Sequence, residues 1–415
     1  GSYNVALGND TNRVNTTGSN NVAIGHEALF NNTVSSNVGV GYRALKANTS
    51  GPNNVAIGYQ SQENTTTGEK NISIGQSLTN NTTGGSNIAI GYFALLSSTT
   101  ASANVAIGAH SQMMTTTGEH NTGVGYDALR STTTGNGCAA LGYGSLYENT
   151  TGASNNAFGK YALYKNTTAD YNNAFGSNSL KVNTTGTKNH AFGQDALQAN
   201  TTGDNNNAFG NSALAQNTTA SNNAAFGHDA LAANTTGTDN LAIGANSLDS
   251  NTTGTHNTCV GRTAGGDNTT GSNNVFIGKN AGLSASPSGS ITTSSNQLCL
   301  GDNLISNAFI KVAFTVTSDQ RDKIEDGVVS HGLDFVNQLK PKSFWFRKNR
   351  ESDEKHGDKR YGFYAQDILA LEGSNNVIID STDLDNLKFK GDQLIPVLVN
   401  AIQELAAKVK ALEAG

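Results

Sequence analysis

The sequence predicts a mainly β molecule, a stack of short parallel coils followed by a small α+β domain that ends in a long helix. Three observations predict it. Seventeen glycines recur in one register from Gly8 to Gly278, spaced 17 residues in fourteen intervals and 16 in the other two. Apolar and small residues alternate before each of them, as in Val22-Ala23-Ile24 and Val55-Ala56-Ile57. Composition changes at one peptide bond, Ser318–Asp319. The 318 residues before it hold 27 charged side chains and 40 of the 47 glycines, whereas the 97 after it (415 − 318) hold 31 charged side chains and the single Trp.

A fixed short period marks a stack of structural units, each burying its face on its neighbours. Seventeen residues are too few for two packed helices with their turns, so two short strands per coil, joined by Gly and Asn turns, are expected. The residues one and three before each Gly share a strand face, because side chains alternate. The residue between them is small in nearly every coil: Ala23, Gly39, Ser73, Ala106, Ala242. The expectation is that the large apolar face fills the coil and the small face meets a neighbouring chain. Five successive coils carry Phe before the Gly (Phe158, Phe175, Phe192, Phe209, Phe226), and in them the partner two residues earlier becomes Asn156, Asn173, His190, Asn207 and Ala224. This trade reads as compensation in a core of constant volume.

Asn stands four residues before the Gly in sixteen of the seventeen coils, Cys138 being the exception. Stacked Asn side chains can hydrogen-bond along a parallel stack. The Asn-Thr-Thr-Gly segments (Asn183 to Gly186, for example) match a glycosylation acceptor, but their recurrence in register favours a structural turn. At about 4.8 Å per coil the intervals make a rod roughly 75–80 Å long. So thin a coil buries little apolar area, and several chains side by side are expected.

After Gly278 the register slips through a Pro- and Gly-punctuated loop near Pro287, and Asn296 to Gly301 form one further coil-like unit. Phe309 to Val316 read as a strand. Beyond Asp319 the expected order is a helix at Leu333–Leu339, a strand at Pro341–Phe346, a solvated charged loop at Arg347–Arg360, a further element from Tyr361, and a final helix with Asp392 as its N-cap. That helix carries Ile395, Leu398, Ile402, Leu405, Val409 and Leu412 at spacings of 3, 4, 3, 4 and 3, an a/d seam whose β-branched a and Leu d residues lean towards a dimer by themselves, a preference that attachment to a trimeric rod is expected to overrule. The domain division expected is a shaft over 1–282, a connector over 283–318 and a C-terminal domain over 319–415.

Several function classes find no support. The net charge is −6 without a basic stripe, so nucleic-acid binding has no electrostatic footprint. No run of about 18 apolar residues is present, so no membrane-spanning helix is expected. The chain enters the repeat at once, without the charged and apolar regions of a secretory signal. Cys138, Cys259 and Cys299 are odd in number and far apart, which suits neither a disulfide framework nor a metal cluster. The six histidines before the seam lie in separate coils and the fifteen acidic residues there are scattered. No cofactor, metal site or turnover active site is therefore expected.

Asn20 to Gly25 and Asn53 to Gly58, both Asn-Asn-Val-Ala-Ile-Gly, resemble the head repeat of trimeric autotransporter adhesins. That resemblance implies a trimeric parallel β-roll, or β-solenoid, over about residues 4–282, although the period here is longer. The C-terminal residues resemble the intramolecular chaperone, or endosialidase-type auto-processing, domain of phage tail fibres and spikes. The resemblance rests on Ser318-Asp319 with Lys323, on Leu339-Lys340-Pro341, on Gly362 with Ala365-Gln366-Asp367, and on the closing Ala401 to Leu405 helix. It implies a domain that trimerises, templates the folding of the β-structure before it and then cuts itself off at Ser318–Asp319. Ser318 would be the nucleophile and Lys323 the group that activates it. A Ser hydroxyl needs a base to take its proton, and a Lys can serve when desolvation or neighbouring cations lower its pKa. The function expected is a homotrimeric tail fibre or adhesin, on a virion or a bacterial surface, that attaches to a host or target-cell receptor, glycans included. The alternative is a surface adhesin or glycan-binding rod that keeps its chaperone domain uncut.

Overall fold

A computed structural model describes the whole chain except residues 307, 310, 312–317, 348–349, 374–375, 383 and 386. The expected strand at Phe309–Val316 falls mostly outside the described residues. The chain forms two compact units, one of residues 1–284 with 290–300 and one of residues 285–289 with 301–415. Each is described by itself.

The first unit is a parallel β-solenoid. It has eighteen strands of three residues, from β1 (Val5–Leu7) through β10 (Asn156–Phe158) and β17 (Val275–Ile277) to β18 (Leu298–Leu300). Each coil contributes one strand, which pairs in parallel with those of the coils before and after it. Val22 lies opposite Val38 and Ile24 opposite Val40, and the same correspondence recurs along the stack. Only one strand forms per coil, not the expected two. The rest of each coil turns too tightly for a second, because it holds residues in the left-handed backbone region, such as Glu27 (φ 54°), Leu29 (φ 52°) and Ser36 (φ 66°). Such a conformation costs a non-glycine residue roughly 1–2 kcal/mol. Burial of Leu29, which is fully inaccessible, offsets it by about 1.5–3 kcal/mol. At Gly210 (φ 148°) a Cβ would lie 2.2 Å from the Gly227 carbonyl oxygen, so this close stacking of turns requires glycine there.

The strand faces are the reverse of the expectation. The middle residue of the strand, Ala23, Ala56 or Ala157, is fully buried, while its large neighbours are half-buried or exposed. A coil this small encloses a narrow space. The left-handed Leu column (Leu163, Leu180, Leu197, Leu214), the Ala column and the Asn column fill it, which leaves the large strand side chains on the outside. The Phe residues therefore form an outward stack. Centroids of Phe158, Phe175, Phe192 and Phe209 are 4.7 Å apart and the rings tilt by at most 6°. Conservation of interior volume does occur, but elsewhere. Phe276 takes the inward place usually held by Ala, and the neighbouring Leu positions become Gly265 and Gly282. A Cβ at Gly265 would approach a Phe276 ring carbon to 2.7 Å, and one at Gly282 to 2.6 Å.

Two buried Asn columns join the coils. In the first, the Asn223 N–H donates to Asn206 Oδ1 (3.1 Å), while Asn206 Nδ2 donates to the Ala220 carbonyl (2.8 Å). In the second, Asn217 Nδ2 donates to Asn200 Oδ1 (2.9 Å) and to the Ala220 carbonyl (3.0 Å). These side chains satisfy turn backbone that strand pairing leaves unbonded. The second column includes Asn166, Asn183 and Asn200 of the Asn-Thr-Thr segments, all fully buried, so their amides are not accessible acceptors. Cys138 keeps the first column's pattern, its N–H donating to Asn121 Oδ1 (2.9 Å) and its Sγ to the Gly152 carbonyl (3.3 Å). Burial pushes its thiol up to about 11, which makes it a neutral packing group.

The second unit contains α1 (Leu333–Gln338), an antiparallel hairpin of β19 (Lys342–Arg347) and β20 (Lys355–Gly362), α2 (Ala365–Glu372), the short pair β21 (Ile379–Asp380) and β22 (Lys388–Phe389), and α3 (Leu394–Glu413). Phe335, Ile368, Ile378, Ile379, Leu394 and Val397 form its core. Much of the charged stretch expected as a loop is strand β20. Lys355 and Lys359 lie over the Trp345 ring of β19, 3.9 and 5.5 Å from its centroid, so these charges pack on an aromatic face. Asp392 is not the N-cap of α3. It lies in a 3-10 turn, Gly391–Gln393, and Gln393 precedes the helix without a side-chain cap bond.

Two outcomes follow for the first unit. Asn206→Ala removes an acceptor that a buried N–H needs and lowers stability by about 1–3 kcal/mol, whereas Thr202→Ala on the exposed turn changes it by less than about 0.5 kcal/mol. Equal midpoints in chemical denaturation would show that the Asn columns do not hold the coils together. Gly265→Leu alone destabilises by about 1–3 kcal/mol through overpacking, and adding Phe276→Ala recovers most of the loss. A double-mutant cycle with no coupling would contradict the shared interior.

Candidate functional site

The composition seam folds as a single tight turn. Asp319 (φ −68°, ψ 134°) caps a 3-10 turn at Gln320–Asp322, its carboxylate accepting the Arg321 N–H at 2.9 Å. Lys323 closes the turn through its own N–H, which donates to the Gln320 carbonyl at 3.1 Å. Three turn residues thus fold the lysine back over the serine five positions earlier. Lys323 Nζ contacts Ser318 Oγ and lies 3.5 Å from the Ser318 carbonyl oxygen. The turn therefore brings the two expected partners together at the bond that joins Ser318 to Asp319. An amine so placed can take the hydroxyl proton and polarise the carbonyl, provided that it is neutral.

Arg321 does not act as a free cation beside the lysine. Its Nε donates to Asp319 Oδ1 at 3.0 Å and its Nη2 to Oδ2 at 2.6 Å. The Asp319 carboxyl is held below its ordinary range chiefly by the Arg321 side-chain hydrogen bonds, and the Arg321 guanidinium is raised in return. Ser318, Asp319, Arg321 and Lys323 are all exposed in the single chain. A Lys becomes an effective base where water is excluded, and this turn alone excludes none.

The α3 helix presents two faces. Leu394, Val397 and Ala401 are buried. Asn400 Nδ2 donates to the His331 carbonyl (3.0 Å), and Glu404 accepts the Leu333 N–H (2.8 Å), which ties the helix to the start of α1. The six residues of the a/d seam lie on the other side. Ile395, Leu398, Ile402, Leu405, Val409 and Leu412 are all exposed, Leu412 to 82% and Ile402 to 65%. A seam so open on one chain has the spacing and exposure of a coiled-coil face.

One residue of structural weight has no periodic signal in the sequence. Glu372, at the end of α2, is buried, and its carboxylate accepts the N–H groups of Val377 (2.8 Å), Ile378 (2.6 Å) and Ile379 (2.9 Å). A Glu just before Gly373, followed by a Val-Ile-Ile run, is the only hint. Among the described residues no group of three His, Cys, Asp or Glu is placed to hold a metal, and no helix is long and apolar enough to cross a membrane. Glu372→Ala leaves three N–H groups without an acceptor and lowers the stability of this unit by roughly 3 kcal/mol or more. Hydrogen exchange at Val377–Ile379 reads this directly, and unchanged protection would rule out the anchoring role.

The family model described as the chaperone of endosialidase matches residues 318–377. The match begins at Ser318 and takes in the lysine turn, α1, the hairpin and α2. No curated protein and no solved structure matches the chain. The segment that starts at Ser318 is an endosialidase-type chaperone domain, joined here to a β-solenoid rod.

Proposed function

We propose that this chain is a fibre subunit that assembles as a homotrimer, is aligned by its C-terminal chaperone domain, and is then cut between Ser318 and Asp319. The observation that carries this reading is the contact of Lys323 Nζ with Ser318 Oγ at the first residue of the family match. In the proposed step the neutral lysine takes the hydroxyl proton and Ser318 Oγ adds to the Ser318 carbonyl. The C–N bond then breaks, the Asp319 amine leaves with the proton that the lysine holds, and water opens the resulting lactone to restore the Ser318 hydroxyl and leave a carboxylate. Trimer packing would supply the dry surroundings that the exposed turn lacks in one chain, so cutting would follow assembly.

The open a/d seam of α3 supports assembly, with Ile395, Leu398, Ile402, Leu405, Val409 and Leu412 as its trimerisation residues. Parallel pairing between repetitive chains is slow and prone to slips. A template at one end relieves both difficulties. Its removal makes unfolding hard to reverse, which confers kinetic stability. The proposed division of labour is a shaft over 1–282, a connector over 283–318 and a removable tool over 319–415. The proposed setting is a virion tail fibre or a bacterial surface, where the rod presents a receptor-binding wall to a host or target cell. The rows of exposed Thr and Tyr on that wall suit a glycan among the receptors.

Electrophoresis of the expressed protein beside Ser318→Ala, Lys323→Gln and Lys323→Arg tests the cut. The unaltered chain should yield a fragment of 97 residues (415 − 318), and all three variants should stay whole, because Arg keeps the charge but cannot act as a base. Cutting that persists in Lys323→Arg would remove the lysine from the mechanism. Sedimentation of uncut Ser318→Ala should give three times 43.0 kDa, about 129 kDa. A mass of 43.0 kDa would end the trimeric reading.

A further inference from the structure

The solenoid leaves one long face uncovered, the outward stripe formed by the first and third residues of each strand. Its exposed members include Leu7, Ile74, Leu141, Phe226 and Ile277. No Lys, Arg, Asp or Glu occupies either column in any of the eighteen strands. Charged groups are common on the neighbouring turns, where Glu27, Arg43 and Lys46 form a cluster. A stripe without formal charge repels no copy of itself. It is roughly 80 Å long and about 10 Å wide, on the order of 800 Å² per chain, which is what a stable interface needs. Its size and lack of charge suit the same occupant as the α3 seam, further copies of this chain in parallel.

The stripe is apolar except for isolated threonines and one block. Over four successive coils the first column holds Asn156, Asn173, His190 and Asn207, beside the Phe stack in the other column. These side chains already bond along the column, Asn156 Nδ2 to Asn173 Oδ1 at 2.7 Å and Asn173 Nδ2 to His190 Nδ1 at 2.8 Å. They retain hydrogen-bonding capacity that faces outward. Between aligned chains polar meets polar and Phe meets Phe. After a slip of four coils every member of the block faces Val, Ile, Leu, Ala or Thr, and smaller slips mismatch its ends. A single polar position specifies register in coiled coils by the same logic.

We propose that this stripe is the face on which three copies of the chain pack about their common axis, and that the Asn156–Asn207 block with its Phe stack is the key that sets their axial register. The proposal rests on the trimeric fibre proposed above. It places the contact on the large-residue face of the strand.

Cysteine variants of the full chain test it, since Cys138, Cys259 and Cys299 are buried. Asn173→Cys and Asn207→Cys should react with a maleimide at least about tenfold more slowly than Thr185→Cys, the protection expected of a site that opens rarely. With oxidised glutathione, chains carrying both stripe cysteines should form 173–173 and 207–207 bridges between copies, identified by peptide mass spectrometry. Bridges of the 173–207 type should be absent, because two coils separate those sites by about 9.6 Å, beyond disulfide reach. Adding Asn156→Val and His190→Val should make 173–207 bridges appear in a protein that still sediments as a trimer. Their continued absence overturns the register key. Fast labelling at positions 173 and 207 in a trimer overturns the interface, and Asn207→Cys alone supplies that measurement should the combined variant misfold. Sedimentation as a monomer overturns the trimeric fibre itself.

Discussion

A coil that repeats about every 4.8 Å stacks each side chain on its own counterpart, and the rest of the rod depends on that constraint. Any residue in a column must be compatible with itself. Asn qualifies because its amide offers both a donor and an acceptor, so buried Asn200, Asn217 and Asn234 bond in series. Phe qualifies because flat rings stack. A buried column of like charges would not qualify. Formal charges are accordingly confined to turns, where opposite signs interleave, as Arg43 does between Glu27 and Glu63.

The same constraint makes such a rod easy to build and hard to align. Coils that differ little from one another give misaligned chains nearly the same contacts as aligned ones. In the proposed trimer two features would oppose this: the C-terminal chaperone domain, and a stretch of the outward stripe where Asn and His replace Val and Ile. The apolar seam of α3 and the apolar stripe of the solenoid are unlike in secondary structure. They are alike in leaving a row of apolar residues exposed in one chain.

At the seam, proximity and activation are separate matters. Asp319 caps a short turn, and the turn sets Lys323 against Ser318. That much is local and needs no tertiary contact. Activation of the lysine is not local. Arg321 is occupied by Asp319, and the exposed turn leaves the amine hydrated. On the proposed mechanism, such an arrangement would hold Ser318 in place while its reactivity awaited a cover.

The sequence by itself determined the coil period, the parallel stacking of coils, the Asn column four residues before each Gly and the composition seam, because each rests on position along the chain, but it predicted two strands per coil where one forms. The pairing of Ser318 with Lys323 was expected from the family resemblance, not from their spacing, and the short turn supplies the contact. Only the tertiary structure decided which strand face looks inward. Alternation separates Val22 and Ile24 from Ala23 but is symmetric between inside and outside. What breaks the symmetry is the width of the coil interior, set by left-handed Leu residues such as Leu29 that no propensity places in such a backbone. The volume exchange of Phe276 with Gly265 and Gly282, and the three N–H groups gathered by Glu372, were likewise decided in three dimensions, because each joins residues that share no period.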